Sequence, residues 1–221
     1  MSGSVAAIVV AAGDGVRLGA GKPKAFCEIS GSTLLEHAVR RLLAVPRIEA
    51  VVVVAPPTAL DSAASLLPAT VTVVPGGATR QRSVSAGLAA LPPTDFVLVH
   101  DVARAFVPTD VVERVIGALD NGADAVIPVL PVVDTLTAVD ASGAVLGTVD
   151  RGPLRSVQTP QGFRTAALVD AHAAAADDAH TDDASVVERH GGTVVAVEGS
   201  ELAFKVTRPL DLVLAEAVAR G

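Results

Sequence analysis

With 221 residues, half of them hydrophobic, the chain is long enough to bury a sizeable core within one large domain. A net charge of −7, with five Phe and no Trp or Tyr, excludes a protein that coats nucleic acid or stacks bases on aromatic platforms. Pro, Gly or charge interrupts every apolar run before it reaches the length of a membrane span.

The opening MSGSVAAIVVAAG has no basic residue ahead of its apolar run, so it reads as a first strand and not as a signal peptide. Residues 5–10 have the continuous apolar character of a buried parallel strand. The loop that follows, VVAAGDGVRLGAGKPK, carries Gly13, Gly15 and Gly19 together with Arg17, Lys22 and Lys24. Glycines let backbone N–H groups approach a ligand closely, and a basic, Gly-rich loop after a strand is suited to phosphate. A glycine-rich βα loop with ordinary surface charge is the other reading of this stretch. It is not a P-loop, because Gly21-Lys22 is followed by Pro23, and it is not a dinucleotide fingerprint, because Leu18 stands where the last glycine belongs. The chain has 14 Arg but only three Lys. Two of the lysines lie in this loop and the third is Lys205. An ammonium and a guanidinium are not equivalent at a phosphate.

Downstream, the spacing predicts a helix over 33–43, a strand over 49–55, a short helix over 58–67 and a strand over 71–74 opening into GGATRQRS. A helix over 83–91 precedes a strand over 96–100 that ends in Asp101. A helix over 111–119 and a strand over 125–129 follow. This alternation predicts an α/β fold, a Rossmann-like, mainly parallel twisted sheet with helices on both faces. The polar clusters AAGDG, GGATRQR and HDVAR all follow strands, so they should gather at one edge of the sheet, where such folds bind ligands.

The pattern breaks at Pro131. Two short strands, 135–139 and 144–149, flank the turn Asp140-Ala141-Ser142-Gly143, so 134–155 reads as a β-arm leaving a single domain that spans 1–221. Isolated hairpins are marginal in water, and a second copy of the chain is the simplest surface for one to rest on. The remainder predicts helices over 164–176 and 185–190, strands over 193–197 and 203–206, and a last helix over 210–220. Cys27 is alone; it can make no internal disulfide, reads as a small apolar filler and fits a reducing cytoplasm.

Taken in order, AAG-x-G-x-R-L then PK, GG-x-x-R-x-x-SV, VHD-x-AR, DT, VDR, TPQ, TDD-x-S and KVTRP-x-D-L resemble the 2-C-methyl-D-erythritol 4-phosphate cytidylyltransferases along essentially the whole chain. The resemblance implies attack by a sugar-alcohol phosphate on the α-phosphorus of CTP, with pyrophosphate leaving. Such a reaction needs positive charge around a crowded phosphorus more than an acid–base pair. By the resemblance, Arg17 and Lys24 are the catalytic cations. Ala11, Ala12, Gly13, Asp14 and Gly15 hold phosphate and the cytosine end, Gly77 and Ser83 read cytosine, and Asp101 and Lys205 also belong to the CTP site. Asp101, Val102, Arg104, Thr135, Arg151 and Thr181 match acceptor-binding positions, with Thr135 and Arg151 reaching into the partner's site across a homodimer. The family's HDAARP reads HDVARA here, so Val102 replaces a small residue and Ala105 a proline.

Mg²⁺ is expected with the triphosphate, through phosphate oxygens and water, with no dedicated protein ligands. The partners are then CTP and a sugar-alcohol phosphate, with no nucleic acid and no membrane. Ribitol 5-phosphate or another polyol phosphate is an alternative acceptor. A non-catalytic nucleotide-binding scaffold is the alternative of another class. A dinucleotide-dependent dehydrogenase fits less well, since Ala55-Pro56 stand where an acidic residue should end the second strand.

Overall fold

The computed structural model describes residues 3–13, 23–175 and 182–221. An eight-stranded sheet forms the centre. Strands β1 (Val5–Val10), β2 (Glu28–Ile29), β3 (Ser32–Thr33), β4 (Ile48–Ala55), β5 (Thr72–Pro75) and β6 (Phe96–Asp101) come first in the chain. β7 (Ala125–Pro131), β8 (Leu136–Val139), β9 (Val145–Val149), β10 (Arg155–Val157), β11 (Gln161–Arg164) and β12 (Val194–Glu198) follow. The main sheet runs β5-β4-β1-β6-β11-β7, with β10 and β12 both paired to β7. β1 is parallel to β4 and β6, β4 is parallel to β5, and β12 is parallel to β7. Only β10 and β11 run against the rest.

The helices are α1 (Leu34–Leu43), α2 (Leu60–Ser65), α3 (Arg80–Ala90), α4 (Thr109–Asp120), α5 (Thr165–Ala174), α6 (Asp183–Arg189) and α7 (Pro209–Arg220). Residues of β1 alternate between two cores, as a pleated strand requires. Val5, Ala7 and Val9 join Leu35, Val39, Val112 and Ile116 of α1 and α4. Ile8 joins Val84, Leu168 and Val187 of α3, α5 and α6. Both faces are therefore covered, which is why β1 and β4 read as continuous apolar runs. A third cluster seats α7 on Cys27, Ile29 and Phe106. Cys27 is buried there, as a filler should be.

Local chemistry sets the helix ends. Thr33 and Glu36 make a reciprocal capping box on α1. Pro209 takes the first turn of α7, and the Asp211 carboxylate accepts from the Thr207 and Arg208 N–H groups, each at 2.7 Å. Two expectations are corrected. Residues 203–206 are not a strand; Glu201–Ala203 is a 3₁₀ turn, and Val206 N–H donates to the Ala103 carbonyl at 2.8 Å. Short β10 and β11 carry no apolar run, yet they pair within the main sheet, and Arg164 ends β11 instead of starting a helix. Pairing with neighbouring strands holds them, a tertiary effect that overrides local pattern.

β8 and β9 form their own two-stranded sheet, exposed along its whole length. At its tip the Asp140 carboxylate accepts from Ser142 N at 2.9 Å and Ala144 N at 2.9 Å, and Gly143 takes a φ of +86°. The hairpin carries Val139, Val145 and Leu146 into solvent.

Candidate active site

A cavity of about 470 Å³ opens at the edge where β1, β5 and β6 end. Ala12 and Gly13 follow β1, Gly77 and Ser83 belong to the segment after β5, and Asp101, Val102 and Arg104 come from the end of β6. Lys24, Arg80, Asp182 and Lys205 complete the charged part of the wall. The anticipated meeting of clusters at one sheet edge is what the parallel register produces.

Lys24 opens the 3₁₀ turn Lys24–Phe26, immediately after Pro23, whose fixed φ of −56° aims the chain into the turn. The segment after β5 is shaped by close approach. A Cβ on Gly76 would lie 2.4 Å from the Ala12 Cβ, and one on Gly77 would lie 2.4 Å from the Arg82 Cβ and 3.1 Å from its carbonyl carbon. Ser83 Oγ donates to the Thr79 carbonyl at 2.9 Å and accepts from Gly77 N–H at 3.2 Å. Thr79 caps α3 by accepting from Arg82 N at 3.1 Å, so the helix begins at Arg80, earlier than the sequence pattern predicts. Gly77→Ala is expected to lower stability by about 1–3 kcal/mol through overpacking. A denaturant midpoint that falls with an unchanged m-value is the result that checks it.

Asp101 is the charged hinge of the wall. Lys205 Nζ lies 2.6 Å from its Oδ2, and an Arg80 nitrogen lies 3.7 Å from its Oδ1. Burial pushes the carboxyl up, but Lys205 and Arg80, with Arg104 behind them, outweigh it and hold the pKa at about 2. The turn after Asp101 is fixed by a buried chain of hydrogen bonds. Asp101 N–H donates to Thr159 Oγ1 at 3.0 Å, Thr159 Oγ1 lies 3.1 Å from His100 Nδ1, and His100 Nε2 lies 3.2 Å from the Arg104 carbonyl. With one hydroxyl proton to give, Thr159 donates to Nδ1, which makes His100 the neutral Nε2–H tautomer. Burial lowers the His100 pKa to about 4, the charge of Asp101 only partly opposing it.

Arg104 faces the cavity and also braces it. Its terminal nitrogens donate to the carbonyls of Ala203 at 2.7 Å and Val157 at 3.0 Å. Val102 and Ala105, the departures from the family pattern, are both buried, Val102 in the core beneath the sheet edge and Ala105 against the α7 cluster. Ala11 lies below the wall: its side chain is buried in the core, and its N–H donates to the Val54 carbonyl at 2.8 Å.

The structure does not bring Thr135 and Arg151 to the cavity of their own chain. Both lie exposed at the base of the β8–β9 hairpin, where the Arg151 guanidinium donates to the Val133 carbonyl. Asp14, Gly15, Arg17 and Thr181 lie outside the described residues. Sequence reasoning gave Arg80 no role, took Asp183 only as one of several helix-capping side chains and read His172 as an ordinary helix or loop histidine. Arg80 pairs with Asp183 at 2.5 Å across 103 positions of sequence, and His172 Nε2 lies 3.2 Å from the other oxygen of Asp183. The only signals were the Arg of GG-x-x-R and the second Asp of TDD, and nothing in the sequence connects them.

Among the described residues, no group of three or more His, Cys, Asp or Glu comes together to hold a metal ion. No helix among them is long and apolar enough to cross a membrane.

The model of the family described as IspD, 2-C-methyl-D-erythritol 4-phosphate cytidylyltransferase, matches residues 5–221. A relative from Rhodococcus opacus (strain B4) bearing that name is 53% identical over 216 residues, covering 98% of this chain and 95% of its own. Another with that name, from Streptomyces coelicolor, is 53% identical over 227 residues, covering 96% and 84%. The crystal structure of 2-C-methyl-D-erythritol 4-phosphate cytidylyltransferase from Thermus thermophilus superposes with a TM-score of 0.82 at 42% identity, covering 98% of this chain and 99% of that one. The cavity, its position on the sheet and the ordered motifs thus meet in one family: the chain belongs to the 2-C-methyl-D-erythritol 4-phosphate cytidylyltransferases.

Proposed function

We propose that the cavity at the sheet edge binds CTP and that the chain transfers its cytidylyl group to 2-C-methyl-D-erythritol 4-phosphate. The observation that carries this reading is the set of Lys24, Arg80, Arg104 and Lys205 around one cavity of about 470 Å³ beside the glycine-rich segment after β5. A phosphate oxygen of the acceptor attacks the α-phosphorus. A new P–O bond forms as the bond to the β-phosphate oxygen breaks, and pyrophosphate leaves with the electron pair. The attacking group is already an anion, so no side chain has to remove a proton.

Lys24, with Arg17 from the preceding loop, meets the negative charge that grows on the triphosphate. Ala12 and Gly13 are read as phosphate contacts and Gly77 and Ser83 as cytosine contacts, all four in the cavity wall; the family resemblance adds Asp14 and Gly15 to the CTP residues. Asp101 and Lys205 contact the nucleotide. Asp101, Val102 and Arg104 are the acceptor residues in the wall, and the family resemblance adds Thr181. Mg²⁺ would be carried by the triphosphate through phosphate oxygens and water, with no dedicated protein ligands, and would supply charge neutralisation on the leaving group. That fits a cavity whose one acid at the end of β6, Asp101, is already engaged by Lys205. The chain acts as one nucleotidyltransferase domain in the cytoplasm.

The arm, residues 134–155, is the dimerisation element, and the exposure of Val139, Val145 and Leu146 supports that reading. Thr135 and Arg151 then complete the site of a second copy. Arg is suited to bidentate recognition of the acceptor phosphate.

Pyrophosphate release is the test, run with CTP, Mg²⁺ and methylerythritol phosphate, with ribitol 5-phosphate in parallel. Turnover with the first acceptor alone is expected, and a folded protein silent with it overturns the assignment. Arg151→Ala is expected to raise KM for the acceptor while leaving CTP binding nearly intact. Mixing Arg151→Ala with Lys24→Ala protein is expected to restore part of the activity, because one site of a mixed dimer is then intact. No recovery would place Arg151 in its own chain's site or outside both.

A further inference from the structure

Arg80 and Asp183, both in the quoted motifs, have no step of their own in the mechanism above. They lie on one continuous chain of polar contacts that runs from the outer helices into the cavity. Ser85 Oγ on α3 lies 3.2 Å from His172 Nδ1 on α5. His172 Nε2 lies 3.2 Å from Asp183 Oδ1, at the start of α6. Asp183 Oδ2 accepts from one terminal nitrogen of Arg80 at 2.5 Å, and the other terminal nitrogen stands 3.7 Å from Asp101 Oδ1. Lys205 holds the remaining oxygen of Asp101 at 2.6 Å.

The ends of this chain differ in freedom. The Asp183 and His172 side chains are only 2% and 5% exposed, so they form a fixed anchor. A carboxylate that deep must be paired, and a cation on one oxygen with an imidazole on the other satisfies it. Arg80 and Asp101 are at the cavity wall, with side chains 26% and 16% exposed. A guanidinium is a rigid planar fork, so fixing one nitrogen on Asp183 fixes where the other points. The 3.7 Å separation from Asp101 is longer than a hydrogen bond. Arg80 therefore orients that carboxylate by charge and leaves Oδ1 capacity to accept a hydrogen bond from something else.

We propose that Arg80 is a positioning residue: anchored by Asp183 and His172, it sets the orientation in which Asp101 accepts a hydroxyl of the bound substrate. This rests on the function proposed above. Lysine keeps the charge but cannot reach two carboxylates as a fork does. Arg80→Lys is expected to stay folded and to lose about tenfold in kcat/KM, carried mainly by KM. In an Asp101→Asn background the same change is expected to cost less than about threefold, because the group Arg80 acts through is already disabled. Asp183→Asn, which loosens the anchor, is expected to match Arg80→Lys and carries the comparison if that variant melts early.

Equal losses in both backgrounds would overturn the proposal, as would an Arg80→Lys enzyme with wild-type kcat/KM. A purely structural role would lower the melting temperature without this dependence on Asp101. If the wild type releases no pyrophosphate, it is the functional reading that falls. The same cycle is then read by calorimetry as affinity for CTP, where additivity would reject the role of Arg80.

Discussion

Lys24→Ala is expected to reduce kcat by roughly a hundred- to a thousandfold, the loss typical of removing one donor to a developing oxyanion. CTP affinity should fall far less. Lys24 stands at the head of a 3₁₀ turn and in the cavity wall with Arg80, Arg104 and Lys205. On the proposed function, ground-state triphosphate would already meet the other cations of the wall, so one lysine adds little to binding. As the acceptor oxygen closes on the α-phosphorus and the leaving oxygen takes up charge, a donor near those atoms gains energy. Only interactions stronger in the transition state raise kcat. Lys205 Nζ lies 2.6 Å from Asp101 Oδ2, so removing Lys205 is expected to unpair that carboxylate as well. Steady-state kinetics beside calorimetric CTP binding separate the two effects. Equal losses in kcat and affinity would make Lys24 a ground-state contact.

Acidification from pH 7 to pH 4.5 is expected to cost most of about 3 kcal/mol of folding stability through His100 alone. The group is buried, and its pKa falls from the ordinary 6.5 to about 4 in the folded chain. The sign follows from proton uptake. Between those values the unfolded chain binds a proton that the folded chain refuses, so the contribution is complete above about 6.5 and is lost as pH falls through the window to about 4. Protonation would also leave Nδ1 unable to accept from Thr159, which in turn holds the Asp101 N–H. Melting temperatures measured from pH 7 to 4.5 should therefore drop by roughly 5–10 °C. His100→Gln keeps a donor for the Arg104 carbonyl and removes the titration. A slope unchanged by that substitution would show that other groups carry the acid sensitivity.

The fold was largely legible because its strands are covered on both faces. Such strands need continuous apolar runs, and Val5–Val10 and Ile48–Ala55 display them openly. Helix ends written in side-chain chemistry, such as Thr33 with Glu36, were equally readable. β10 and β11 were not. RSV and QGFR have no pattern of their own and become strands only because β7 and β6 offer them paired edges. The supposed strand at 203–206 failed for the converse reason. Ala203 and Val206 are buried, but Ala203 sits in the main core and Val206 against the turn that follows β6 and in the α7 cluster, not in a ladder.

The site divides along the same line. By itself, the amino-acid sequence determined the class of fold, because its apolar runs are set within a few neighbouring positions, and the order of its motifs along the whole chain carried the family resemblance. Through that resemblance it singled out Lys24, Gly77, Ser83, Asp101, Arg104 and Lys205, which line the cavity, and Ala11, Thr135 and Arg151, which do not. What only the tertiary structure decided is which of them touch. The salt links of Asp101 to Lys205 and of Arg80 to Asp183 span 104 and 103 positions of sequence. A hydrogen bond or ion pair acts over a few ångströms and leaves no trace in residue spacing unless a helix or strand supplies the period. These pairs exist because the parallel sheet delivers the ends of β1, β5 and β6 to one edge, and α6 and the segment before α7 close over it.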